Sequence, residues 1–301
     1  SNALVSILLS LYPRLDFREI TDVYPHLPGT SLATVFQQRG YRTSFTTPSD
    51  LSWADWTTFL DGRGFGEISD YRALPCTPLT SWGVEDRCMF DGILSFIARE
   101  PARPFFIMGW TQQTHHPYEP APGVPLIELV REPVEDRYEL NRYLNVLRET
   151  DRHLGRLFES IRRAGLDQRT MVVVVGDHGQ AFGYPHEGSY TQGRTIYEED
   201  VHVPLIVWHP RRYETGVRSN AIGGLVDLAP TITELAGLPP AADWQGRSLI
   251  DGRHFPRAYF YVAEDHFRLG VRQDRWKYIY DLREGVEELY DLERDPDEQN
   301  N

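Results

Sequence analysis

At 301 residues the chain is long enough for one large domain, or for a large domain with a small appendage. Its composition, 41% hydrophobic and 25% charged, is that of a globular protein able to bury a sizeable core. A net charge of −13 with no basic block argues against nucleic acid or an anionic membrane surface as the main partner. An anionic small molecule is still allowed, because a bound metal can invert the local field.

No stretch approaches the roughly 20 apolar residues of a membrane-spanning helix. The apolar run 5–11 lacks the length and flanks of a signal peptide. Ser1-Asn2-Ala3 resembles the scar of a cleaved expression tag, so residues 1–3 are set aside and the chain is expected to be an excised part of a longer protein. Localisation cannot be read directly. A periplasmic, extracytoplasmic or membrane-anchored parent is compatible with what is present.

In chain order, residues 31–38 read as a short helix, with Ser31 as cap and Gly40 just past the end. The apolar run 105–110, bounded by Pro104, reads as a strand buried on both faces. Across 136–164, Leu140, Tyr143, Leu144, Leu147, Leu154, Leu157, Phe158 and Ile161 recur at helical spacing, and Gly165 closes a long amphipathic helix. Residues 171–175 and 203–208 read as two further buried strands. The stretch 227–236 reads as a helix with Asp227 as its cap and Pro230 in its first turn. Alternating strands and helices predict an α/β fold, with a mostly parallel central sheet and helices on both faces. After Pro256 the runs 258–262, 267–271, 276–280 and 288–292 are short and alternating, as in a small antiparallel sheet. The expected organisation is therefore an α/β catalytic domain over 4–254 and an antiparallel subdomain over 255–301. Cys76 and Cys88 either pair or remain separate thiols; spacing does not decide between them.

The valine strand ends in Gly176-Asp177-His178-Gly179. A carboxylate and an imidazole side by side at a strand exit can face one divalent cation, with the glycines letting the backbone turn. Taken alone, the pair is equally compatible with a helix-capping aspartate and a surface histidine.

The longer context resembles the sulfatase family of the alkaline phosphatase superfamily. Asp177-His178-Gly179 is followed by Ile196-Tyr197-Glu198-Glu199 and Val203-Pro204-Leu205-Ile206, similar to the family's metal turn and its later Tyr-Glu stretch. Ile7-Leu8-Leu9-Ser10-Leu11-Tyr12-Pro13 is similar to the family's LLTGLYP segment, and Gly40-Tyr41-Arg42-Thr43 to its GYxT motif. Asp227-Leu228-Ala229-Pro230-Thr231, Gln245-Gly246-Arg247-Ser248-Leu249 and Glu288-Leu289-Tyr290-Asp291-Leu292 continue the likeness in the family's order.

The resemblance implies a metal-dependent sulfuric ester hydrolase using calcium, manganese or magnesium, with Asp177 and His178 as metal ligands. His115, in Thr114-His115-His116-Pro117-Tyr118, falls on the family's H-x-P-Y histidine, which meets the substrate's anionic group or leaving oxygen; His116 is one residue off that pattern. His186 and Arg194 are the substrate-binding candidates. His186 either reaches the site or braces its loop, and Arg194 stands near the place of a family lysine or is a surface residue. Asp151 reads as a structural acid on the long helix.

Two departures qualify the likeness. The family's nucleophile and first acidic ligands precede its LYP segment, so they are expected to be absent here, or the nucleophile replaced by Ser1, leaving the chain nearly inactive. In place of a Gly-Lys-Trp-His segment stand Trp53 and Trp56, which look more like the lipoteichoic-acid-synthase type of phosphoglycerol transferase. The expected partners are therefore small-molecule, glycan or lipid-headgroup sulfate or phosphate esters. The alternatives are a phosphoglycerol or phosphoethanolamine transferase or phosphodiesterase on the same fold, and a non-catalytic binding domain.

Overall fold

The computed structural model describes residues 2–15, 18–131, 134, 136–252, 256–263 and 266–301. Ser1 and the expected domain boundary at 254/255 lie outside the described residues. The chain runs through α1 (Asn2–Leu9), α2 (Ile20–Val23), α3 (Leu32–Gln37), β1 (Arg42–Thr46), α4 (Trp56–Leu60), β2 (Glu67–Ser69), α5 (Asp86–Arg99) and β3 (Phe105–Gly109). It continues through α6 (Arg137–Arg163), β4 (Val172–Val175), α7 (Glu198–Val201), β5 (Leu205–Trp208) and α8 (Leu228–Leu235). Four strands close it: β6 (Arg257–Ala263), β7 (Phe267–Gln273), β8 (Trp276–Asp281) and β9 (Glu287–Asp291).

The fold is mixed α/β. Strands β2, β1 and β3 form a parallel sheet in that order, with Arg42 opposite Phe105 and Ser44 opposite Glu67. Because strand side chains alternate, β3 divides between two cores. Phe106, Met108 and Trp110 pack on one side with residues of α1, α3, α4 and α8, while Phe105 and Ile107 pack on the other with α5 and α6. Helices thus cover both faces.

Local expectations hold where chemistry is local. Ser31 caps α3 through a bond from the Thr34 amide, and Asp136 caps α6 through one from Glu139. Asp227 does not cap α8. Its carboxylate instead accepts from the Gly224 and Arg247 amides, tying two loops together. The buried stripe of α6 is more polar than its leucines suggest. Asn145, Glu149 and His153 are buried, whereas Leu147 is exposed, because Asn145 and Glu149 hold the Ile127 and Ala121 backbone.

Two strands differ from expectation. The valine strand β4 pairs with β5 antiparallel, Val172 opposite Trp208 and Val175 opposite Leu205. Their connection carries only the single-turn helix α7, too short to cross the sheet, so the chain re-enters from the end where it left. Leu205 and Ile206 of β5 are also exposed rather than buried. The last four strands form an antiparallel meander β6-β7-β8-β9. Its inner face, through Val262, Ile279 and Tyr290, packs on Ile196 and Tyr197.

Candidate active site

The first wall of the site begins where β3 ends. Asp86, fully buried at the start of α5, accepts from the Gln112 amide at 2.7 Å and from the Gln113 amide at 3.3 Å. The Gln113 side chain answers by accepting from the Asp86 amide at 2.8 Å and donating to the Glu119 carbonyl at 2.9 Å. Thr150 of α6 donates to the second Asp86 oxygen at 3.1 Å. This clasp fixes the turn in which the His115 amide bonds the Gln112 carbonyl. The His115 Nδ1 lies 2.8 Å from the His116 carbonyl, which can only accept, so Nδ1 carries hydrogen and Nε2 is left for chemistry.

The second wall begins where β4 ends. Gly176 bonds the Pro204 carbonyl, and Gly179 bonds the Asp200 carbonyl at 2.8 Å. A side chain at Gly179 would bring its Cβ within 2.0 Å of the Glu199 carbonyl, so this turn admits only glycine. Between the glycines, His178 Nδ1 donates to the Gly179 carbonyl at 2.7 Å, which leaves the Nε2 lone pair facing Asp177 Oδ2 at 3.7 Å. Two donor atoms that far apart can share one cation at ordinary ligand distances of about 2.0–2.5 Å. Asp200 lines the same space. Burial pushes its carboxyl up to about 6 against the bonded Thr195 hydroxyl, and its Oδ1 is buried with no hydrogen-bond partner. That orphaned oxygen is the kind of group a cation nearby would satisfy.

His115, Asp177 and His178 line one cleft of about 1180 Å³. Asn2, Ala3 and Ser6, from the start of α1, line it too. Two expected residues do not. His186 has both ring nitrogens occupied, Nδ1 by Glu199 at 2.8 Å and Nε2 by the Glu298 carbonyl at 3.1 Å, and its ring stacks on Tyr197 at 3.8 Å. It braces the loop against the chain's C-terminal tail. Arg194 is exposed, has an interaction of its own and does not line the cleft, although its neighbours Gly193 and Thr195 do. Asp151 is exposed on α6. Cys76 and Cys88 form a disulfide. Among the described residues, the only three clustered metal-type donors are these two sulfurs and Glu85, and disulfide sulfurs are not thiolate ligands.

Asp86, Gln113, Asp200 and Trp82 escaped the sequence reading. Asp86 had one signal, an acid at a helix start, but nothing local says which loop it will hold.

Residues 1–238 match the family model described as sulfatase. The chain belongs to the sulfatase family. Residues 186–301 also match the model of the N-sulphoglucosamine sulphohydrolase C-terminal region. The chain is 32% identical over 175 residues to an N-acetylglucosamine-6-O-sulfatase of Bacteroides thetaiotaomicron, covering 53% of this chain and 31% of that protein. It is 29% identical over 177 residues to arylsulfatase K of Bos taurus, covering 53% and 32%. The matched stretch thus spans about a third of the length of these relatives. Among solved structures, a protein in complex with its substrate D-glucosamine-2-N,6-O-disulfate superposes with a TM-score of 0.70 at 17% identity, covering 100% of this chain and 83% of that one. The lipoteichoic acid synthase of Listeria monocytogenes superposes with a TM-score of 0.72 at 16% identity, covering 95% and 73%. At such identities these two likenesses speak for the fold alone. Among the described residues, no helix is long and apolar enough to cross a membrane.

Proposed function

We propose that this protein is a metal-dependent hydrolase of sulfate esters carried on sugars. The observation that carries the reading is the Asp177 Oδ2 and His178 Nε2 pair, 3.7 Å apart on the cleft that His115 also lines. Asp177 and His178 would hold the cation. A mixed carboxylate and imidazole pair suits manganese or magnesium as well as calcium. When bound, such an ion neutralises charge on the ester's non-bridging oxygens.

Among the described residues, those of the cleft serve the leaving group, and the attacking hydroxyl is assigned to none of them. Attack by a hydroxyl on sulfur forms one S–O bond, gives up the hydroxyl's proton to solvent and breaks the bond to the sugar oxygen. In the reacting form both ring nitrogens of His115 carry hydrogen: Nε2 gives its proton to the departing oxygen, while Nδ1 keeps its bond to the His116 carbonyl and holds the ring in orientation. Asp86 acts only through the loop and is a positioning residue.

Leaving-group chemistry tests this role. In a chain extended to carry the nucleophile, His115→Ala should slow cleavage of a sugar sulfate by about 10² to 10⁴-fold, since an alkoxide needs a proton to leave. Cleavage of 4-nitrophenyl sulfate, whose phenolate leaves unaided, should suffer far less. Equal losses on both substrates would remove His115 as the acid. Asp177→Ala should abolish metal-dependent turnover of either.

A phosphodiester transferase remains the second reading, favoured by Trp53 and Trp56 on the cleft wall and by the histidine in the Asp177-His178 pair. Faster turnover of a glycerophosphate diester than of any sulfate ester would decide for it.

A further inference from the structure

The cleft has an aromatic wall that neither the metal pair nor the proton transfer uses. The indole of Trp82 lies 5.5 Å from the His115 ring, centre to centre, and is 37% exposed. Trp53, 45% exposed, lines the same cleft. Apolar patches exposed in a groove mark binding sites, and the loop under Trp82 is tightly held. Its amide bonds the Thr80 hydroxyl and its carbonyl accepts from Asp50. Next to it, Gly83 packs so closely on Pro48 that a Cβ would fall 1.9 Å from the Pro48 carbonyl. The Cys76–Cys88 disulfide staples the same segment to the first turn of α5, beside Asp86. One helix turn therefore anchors both the His115 loop and the Trp82 loop, so ring and imidazole keep a fixed relation.

We propose that Trp82 is a rigid platform on which the sugar ring bearing the scissile ester lies, with its ester oxygen turned toward His115. This rests on the sulfate-ester reading above and adds the ring-binding subsite to it. An indole face matches the C–H face of a pyranose and can hold it without fixing flexible groups. Beside it the Ser49 hydroxyl donates to Gln112 Oε1 and the Asp50 carboxylate is paired with Arg72, so a polar rim of the same cleft is held in place next to the indole.

Binding tests the subsite without requiring turnover. The probes are N-acetylglucosamine 6-sulfate, 4-nitrophenyl sulfate and inorganic sulfate, titrated by calorimetry against the protein with saturation-transfer NMR on the sugar protons. Trp82→Ala should weaken the sugar sulfate by about tenfold or more, the scale of a lost aromatic contact, and leave inorganic sulfate unchanged. Trp82→Phe should keep the sugar within about threefold, which shows that a ring face is needed and that the fold survives. Saturation transfer should mark the C–H face of the sugar. Unchanged sugar affinity in Trp82→Ala, an equal loss for inorganic sulfate, or no saturable sugar binding by the unmodified protein would each overturn the proposal. Sugar binding that depends on Trp82 without hydrolysis of any ester by a chain extended to carry the nucleophile would keep the subsite and reject the hydrolase. Ester hydrolysis indifferent to Trp82 would do the reverse.

Discussion

Asp86 accepts bonds from two amides and one hydroxyl, yet burial pushes its carboxyl up to about 6 from an ordinary 3.8, with the Glu149 charge adding to the rise. The native state therefore holds this proton more tightly than the unfolded chain does. The resulting stabilisation is complete below about pH 4 and fades as the pH rises through about 6, a change on the order of 3 kcal/mol. Asp86→Asn should remove that pH dependence while keeping an oxygen for the Gln112 amide. Asp86→Ala should cost about 2–3 kcal/mol by orphaning the buried amides. Urea midpoints at pH 4.5 and 7.5 check both, and an unchanged pH slope in Asp86→Asn would clear Asp86 as its source. Asp177, His178 and His115 stood out as candidates because each follows an apolar strand inside a recognisable pattern. Asp86 and Asp200 were hidden, since their roles depend on loops distant in sequence. The loop-bracing role open to His186 could not be chosen from the sequence for the same reason: its carbonyl partner, Glu298, comes from the far end of the chain.

At the scale of elements, α6 and the antiparallel meander were legible because period and caps are local. The direction of β5 was not, because hydrophobic pattern carries no orientation. Nor was the disulfide, whose two cysteines meet only because the loop folds back onto α5. Closing a loop of this size should stabilise the protein by about 3 kcal/mol, mainly by restricting the unfolded chain. Dithiothreitol should therefore lower the melting temperature of the native protein and leave a Cys76→Ser/Cys88→Ser variant unaffected. Hydrogen exchange should quicken first across 77–84, the segment that carries Trp82. Uniform quickening through α5 and β3 would mean that the staple supports the whole domain rather than this loop.

For the whole molecule, the question is what holds the terminal meander against the domain that carries the site. Lys277 of β8 is fully buried, with Nζ 3.0 Å from Glu198 Oε1 and 2.9 Å from Glu298 Oε1. The Glu298 oxygen is at ion-pairing distance without good hydrogen-bond alignment. Its other oxygen accepts from the Glu198 amide at 2.6 Å, so tail, meander and α7 meet at one buried cation. Burial alone would raise the Glu198 carboxyl, but the His202 bond and the Lys277 and Arg272 charges bring it down to about 2. Burial dominates at Glu298, whose carboxyl is raised. The two acids therefore share Lys277 unequally, with Glu198 the firmly charged partner. Lys277→Met would strand the buried Glu298 carboxylate and take one cation from Glu198, and should cost about 3–5 kcal/mol in chemical denaturation. Adding Glu298→Gln should restore part of that loss, because the remaining acid, Glu198, keeps Arg272 at 3.3 Å and His202 at 3.1 Å. Such non-additivity marks groups that act as one network. Strictly additive losses would mean that Lys277 and Glu298 contribute separately, and that apolar packing of Ile196, Val262, Ile279 and Tyr290 alone holds the meander to the α/β layers.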